Sequence, residues 1–146
     1  MTVIAVRNRI MAADSLCMWN GMRTLDVKII RKDGWLTGGS GSLVDIAALR
    51  RWYGGEDMLN GQPPKFVLYG DAKPDADLLM LTPEGRIFFA DCHGLNKEIN
   101  LDFFAIGSGE QAAMAAMYMG ADARTAVEIA IKVRNDCGGP VQVEEI

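Results

Sequence analysis

Few side chains in this sequence are equipped for covalent or proton-transfer chemistry. The single histidine, His93, directly follows Cys92. Neighbours on a strand point to opposite faces, so these two do not make a nucleophile–base pair, and His93 reads as structural. No His, Cys, Asp or Glu cluster has the spacing of a zinc site, and neither a metal nor another cofactor is expected. Gly107-Ser108-Gly109 precedes a helical pattern, as an anion-holding turn would. It lacks the Gly-Lys-Ser/Thr ending of a phosphate loop. Thr2 stands apart, directly behind Met1 at the head of an apolar strand. Freed of Met1, it would carry a hydroxyl and its own α-amine, whose ordinary pKa of about 7.7–8.0 suits a general base near neutral pH. One residue then supplies both nucleophile and base. The plain alternative is that threonine is simply common in strands.

The elements that must position these groups follow from the apolar pattern. Val3 to Val6 and Ile10 to Ala13 flank Arg7-Asn8-Arg9 and read as a tight hairpin. Both faces of both strands are apolar, so the sheet is expected to be covered on both sides. Asp26 to Arg31 reads as a strand, Lys32-Asp33-Gly34 as a turn, and Trp35 to Thr37 as a restart running into Gly38-Gly39-Ser40-Gly41-Ser42. A helix is expected over Leu43 to Tyr53, with Leu43, Ile46, Ala47 and Trp52 inward, Ser42 as its cap and Gly54 at its end. Within the Gly- and Pro-rich stretch 54–76 only Phe66 to Tyr69 looks strand-like. Asp77 to Leu81 and Arg86 to Ala90 flank Pro83-Glu84-Gly85 as a second hairpin, and Phe103 to Ile106 is a further strand. Helices are expected over Glu110 to Met119 and, capped by Asp122, over Ala123 to Val133. Val141 to Glu144 reads as a last strand. Strands and helices without regular βαβ alternation predict an α+β layered fold.

Composition limits the possible roles. At 146 residues the chain has the size of one domain with a real core. Its 49% apolar and 23% charged content is ordinary for a globular protein and argues against disorder. A net charge of −4 with no basic cluster argues against nucleic acid and anionic membrane as partners. No apolar run reaches the ~18–20 residues of a membrane span, and the first residues lack the pattern of a signal peptide. Cys17, Cys92 and Cys137 form no framework of disulfides, which predicts a reducing, cytoplasmic setting.

Taken in order, Thr2-Val3-Ile4-Ala5-Val6-Arg7, Met11-Ala12-Ala13-Asp14-Ser15, Val27-Lys28-Ile29, Gly39-Ser40-Gly41-Ser42 with Asp45, and Ala105-Ile106-Gly107-Ser108-Gly109 resemble a proteasome β-type subunit. The likeness is nearer to HslV-type peptidases, and nearer again to short proteasome-like proteins of phages and prophages, which share the closing Gly138-Gly139-Pro140-Val141-Gln142-Val143 strand. It covers roughly residues 1–53 and 100–146. The resemblance implies a four-layer αββα sandwich of the N-terminal nucleophile hydrolase type, shortened in the middle. It implies a peptidase acting inside a closed homo-oligomeric ring on peptides or unfolded proteins, with a separate ATP-dependent unfoldase as a possible partner. By motif, Thr2 would be the nucleophile, Asp14 and Lys28 the charged pair beside it, the Gly41 N–H the oxyanion donor, and Ser108 a hydrogen-bond partner near the α-amine. Gly39 and Leu43 would shape the substrate pocket. The chemistry is coherent: an ammonium favours a developing alkoxide, and a preorganised N–H meets the tetrahedral oxyanion.

The resemblance also implies that the nucleophile faces the aspartate across the first hairpin. The expected register sets Thr2 opposite Asp14, Ile4 opposite Ala12 and Val6 opposite Ile10, with Arg7-Asn8-Arg9 as the loop. A rival register sets Met1 opposite Asp14 over a two-residue loop. Two departures from the pattern stand near the end of the chain. Arg134 occupies the place of an aspartate, with Asp136 or Asn135 as substitutes, and Cys137 that of a serine. A catalytically silent self-assembling protein, or a small-amide hydrolase using the same nucleophile, are the alternatives. Read singly, Asp14 also suits a strand-end turn, Lys28 a solvated strand, and Gly38 to Ser42 a strand-to-helix turn.

Overall fold

The computed structural model describes residues 1–146. The chain opens with a hairpin of β1 (Ile4–Arg7) and β2 (Ile10–Ala13), followed by a second one of β3 (Leu16–Trp19) and β4 (Met22–Leu25). Then come β5 (Ile29–Lys32), β6 (Trp35–Gly41), α1 (Leu43–Trp52) and the single turn α2 (Glu56–Leu59). Next are β7 (Ala76–Leu81), β8 (Ile87–Asp91), β9 (Asn96–Glu98) and β10 (Phe103–Ile106). The helices α3 (Glu110–Tyr118) and α4 (Ala123–Val133) and the strand β11 (Gln142–Glu145) complete it.

Two antiparallel sheets, ordered β10-β1-β2-β11 and β5-β6-β7-β8-β9, stack face to face, while β3 and β4 form a separate ribbon. Ile4, Val6, Met11 and Ala13 of one sheet meet Ile29, Leu36, Leu79, Leu81 and Ile87 of the other in the central core. The opposite face of the first sheet offers Val3, Ala5, Ala12 and Ala105 to Ala113, Met117, Ala126, Val127 and Ala130 of α3 and α4. Small side chains on both sides of that interface let the helices approach the sheet closely. On the outer face of the second sheet, Ile46, Leu49 and Trp52 of α1 pack on Leu78 and Met80. The layers therefore run α, β, β, α. The expected coverage of the first sheet on both faces follows directly, because alternate residues of β1 enter different cores.

The hairpin register differs from both expected ones. Arg7 pairs with Ile10 and Ile4 with Ala13, over the two-residue loop Asn8-Arg9. Both loop residues have positive φ, 52° and 65°. This is the type I′ geometry, whose twist matches that of the flanking strands. The tighter loop keeps Arg7 in the ladder, paired with Phe103 on its other side. Its guanidinium donates to Met117 O at 2.6 Å and Ala121 O at 2.9 Å. A shift of one residue turns each side chain to the other face, so Thr2 and Asp14 do not face each other across the ladder. Asp14 instead lies opposite Val3, with its N–H donating to Val3 O at 3.1 Å.

Other differences have local causes. The ribbon β3–β4 closes on Asn20-Gly21 with φ values of 49° and 78°, another type I′ turn. β6 runs on through Gly38-Gly39-Ser40-Gly41, paired along its length with β7, instead of stopping at Thr37. Leu43 and Ala47 of α1 are exposed, and Asp45, Ala48 and Leu49 take the inward places. The Ser42 side chain makes no capping bond, whereas Asp122 accepts from Thr125 N at 2.7 Å as expected. Phe66 to Tyr69 forms no strand, and Val67, Leu68 and Tyr69 are exposed. His93 lies in the turn after β8 rather than on a strand. No helix is long and apolar enough to cross a membrane.

Candidate active site

Thr2 sits just ahead of β1 and is 8% exposed. Three segments hold it. The Ser108 hydroxyl oxygen accepts from Thr2 N at 3.1 Å. Gly109 N donates to Thr2 O at 3.1 Å. The turn Gly107-Ser108-Gly109 thus wraps the Thr2 backbone before α3 begins, instead of serving as a separate anion site. Gly107 has φ +96°, and a Cβ there would run into the Thr2 carbonyl, so only glycine allows this approach.

From the other side comes Lys28, in the segment between β4 and β5. Its Nζ lies 3.0 Å from Thr2 Oγ1 and 2.8 Å from Asp14 Oδ1. Asp14 is fully buried, and its remaining bonds come from backbone: Val3 N to Oδ1 at 3.0 Å and Gly138 N to Oδ2 at 3.0 Å. A buried carboxylate with this many donors and a facing ammonium is well compensated. Lys28 thus bridges the two groups that the strand ladder does not bring opposite each other. A fixed ammonium at hydrogen-bond distance from the Thr2 hydroxyl stabilises negative charge developing on that oxygen.

Met1 is part of the arrangement. Its carbonyl accepts from Thr2 Oγ1 at 2.6 Å and from Lys28 Nζ at 3.2 Å. With Met1 attached, Thr2 N is an amide nitrogen without basic character. The hydroxyl proton therefore has no base within Thr2 itself.

A cavity of about 550 Å³ opens beside Thr2, lined in part by Gly39, Gly41, Leu43, Ile46 and Lys28. Gly41, at the end of β6, has φ +114°, and a Cβ on it would collide with Asp75 O. Asp45 secures the same junction by accepting from Asp75 N at 3.1 Å. Of the residues singled out in the sequence, Thr2, Asp14, Lys28 and Ser108 form one hydrogen-bonded cluster, and Gly39, Gly41 and Leu43 line the cavity it faces. Cys17, Met18 and Trp19 of the second hairpin, together with Asp26 and Arg50, also line that cavity and were not anticipated. The Asn20-Gly21 turn was the available signal for the hairpin.

Around Ser108, Cys137, Asp136 and Arg134 lie in a row of contacts. Cys137 Sγ lies 3.6 Å from Ser108 Oγ. Burial pushes the Cys137 thiol pKa upward, partly countered by Ser108. Arg134 grips Asp136 through Nε–Oδ1 at 3.0 Å and Nη2–Oδ2 at 2.9 Å. That grip pulls the Asp136 carboxyl down to about 2, with a smaller contribution from the Ser108 hydroxyl.

No family model matches the chain, and no curated protein matches it in sequence. Solved structures do match. Thiobacillus denitrificans BPH in complex with epoxomicin aligns with a TM-score of 0.69 and 24% identity, over 99% of this chain and 97% of that one. Thiobacillus denitrificans BPH without that compound gives 0.68 at the same identity and coverage. Eukaryotic HslV from Trypanosoma brucei gives 0.67 at 20% identity, over 99% of this chain and 98% of that one. Over its whole length the chain shares the layered α+β fold of BPH and HslV.

Proposed function

We propose that the chain is a threonine-type N-terminal nucleophile peptidase that works in a self-compartmentalising homo-oligomer. The observation that carries this reading is the Lys28 ammonium, 3.0 Å from Thr2 Oγ1 and held by Asp14 at 2.8 Å. Whole-length likeness to BPH in complex with epoxomicin and to HslV supports it.

In this mechanism Met1 is removed first, leaving Thr2 with a free α-amine. The amine takes the proton of Oγ1, and Oγ1 attacks a peptide carbonyl carbon. Lys28 offsets the charge on the attacking oxygen, and the Gly41 N–H donates to the tetrahedral oxyanion. The amine then gives its proton to the leaving nitrogen, and the C–N bond breaks to leave an ester on Thr2. Water, deprotonated by the same amine, hydrolyses that ester and restores Oγ1–H. Ser108 orients the amine, and the cavity bounded by Gly39 and Leu43 receives the substrate side chain. Substrates are peptides or unfolded chains. The protein is read as one cytoplasmic domain.

Met1 favours a second reading, a catalytically silent assembly protein. Its carbonyl occupies both the Thr2 hydroxyl and the Lys28 ammonium. Thr2→Ala separates the two. Loss of peptide cleavage with assembly size unchanged supports the peptidase. Absence of cleavage by wild-type protein lacking Met1 contradicts it, and turnover of small amides without peptide cleavage points to amide hydrolysis instead.

A further inference from the structure

Lys28 stands one residue before β5, outside a ladder whose first pair is Ile29 with Gly38. Strand pairing therefore does not fix the residue on which the reaction depends. Two side chains from different layers meet its backbone instead. Lys28 N donates to Gln142 Oε1 at 2.9 Å, and Lys28 O accepts from Arg50 Nη2 at 3.0 Å.

Neither contact is incidental to its owner. Gln142 opens β11 in the first sheet, and its amide also donates to Asp26 O at 2.6 Å and to Asp14 O at 3.5 Å. One side chain thus ties the Lys28 segment to the residue that holds the Lys28 ammonium. Arg50 belongs to α1, on the far side of the second sheet, and its Nε donates to Thr37 Oγ1 at 3.3 Å. Burial lowers the Arg50 pKa, with Asp26 acting in the opposite direction. No carboxylate lies in ion-pair contact with this guanidinium. Keeping a partly desolvated cation without an ion-pair partner is costly, and its two bonds go to neutral oxygens of β6 and of Lys28.

We propose that Gln142 and Arg50 are positioning residues that clamp the Lys28 backbone at its N–H and its C=O and so fix the ammonium against Thr2 Oγ1. The inference rests on the peptidase reading. Neither residue touches Thr2; both act through Lys28. A shift of about 1 Å in a charged group beside a reacting atom is enough to cost on the order of 10²-fold in rate.

The test uses assembled protein lacking Met1 and an epoxyketone probe, which requires both the hydroxyl and the amine of an N-terminal threonine. Intact mass gives the fraction of chains labelled at the end point, and time courses give the limiting rate and the probe affinity. Gln142→Leu and Arg50→Met are expected to label to the wild-type end point with a limiting rate about 10- to 100-fold lower. Gln142 lies outside the cavity beside Thr2, so its variant is also expected to keep the probe affinity. Arg50→Lys, which retains a donor for Lys28 O, is expected to recover part of the rate. A limiting rate equal to wild type in both variants, with only the labelled fraction or melting temperature reduced, means the two residues serve folding alone and overturns the proposal. Wild-type protein lacking Met1 that takes no adduct overturns the peptidase reading itself and this inference with it.

Discussion

Lys28 Nζ joins Thr2 Oγ1 at 3.0 Å to Asp14 Oδ1 at 2.8 Å, although Thr2 and Asp14 are not paired across the hairpin that carries them. The site therefore depends on a third segment, the one that leads into β5 of the facing sheet, to connect the Thr2 hydroxyl and the Asp14 carboxylate. This relation has consequences for both stability and rate.

Asp14→Asn leaves the Lys28 ammonium, 8% exposed, without its counter-charge. Breaking a buried pair by neutralising one partner costs about 3–5 kcal/mol. For a chain of this length that corresponds to a fall of roughly 10 °C in melting temperature. Calorimetry of the assembled variant checks it.

Lys28→Met removes the charge beside the Thr2 hydroxyl while keeping much of the side-chain volume. On the proposed mechanism, peptide cleavage falls by at least about 10²-fold. The fully buried Asp14 carboxylate keeps its two backbone donors but loses its counter-charge, so the melting temperature falls as well, and cleavage is compared at a temperature where both proteins stay folded.

Gly41→Ala places a methyl group against Asp75 O in a left-handed backbone conformation. The β6–α1 junction must shift, at a cost of about 1–3 kcal/mol. On the proposed mechanism activity falls more steeply than stability, since this junction also borders the cavity beside Thr2. Parallel melting and cleavage measurements separate the two effects.

The Asp136 carboxyl, held at about 2 by Arg134, has a folded-state pKa below its ordinary 3.8. Its stabilising contribution is thus present above pH ~3.8 and is lost as pH falls through about 2. Asp136→Asn is expected to lower the melting temperature at pH 5 and to make no difference near pH 1.5. Melting curves for both proteins across that range give the comparison.

Much of the layered fold was legible because the unbroken apolar runs of β1 and β2 and the apolar helical stretches of α3 and α4 reflect burial directly. The register of the first hairpin was not legible. Arg7, Asn8 and Arg9 are all polar, and only the geometry shows that Arg7 stays in the ladder to reach the C-terminal end of α3. The strand character of Gly38 to Gly41 was hidden because glycine carries no strand preference and is used here for close approach. Phe66 to Tyr69 misled in the opposite direction, being apolar yet exposed. Thr2 stood out by its place behind Met1, whereas Asp14, Lys28 and the role of Ser108 were found by resemblance, since nothing in their spacing indicates that four separate segments converge. Gln142 and Arg50 left no sequence signal, because their partners are backbone groups of a residue more than twenty positions away.

The central claim is that Thr2, freed of Met1, is a working nucleophile. The direct test is the intact mass of the assembled protein after incubation with an epoxyketone. Loss of Met1 with addition of one probe per chain, abolished in Thr2→Ala, is the predicted result. Chains that have lost Met1 and still take no adduct would contradict the account.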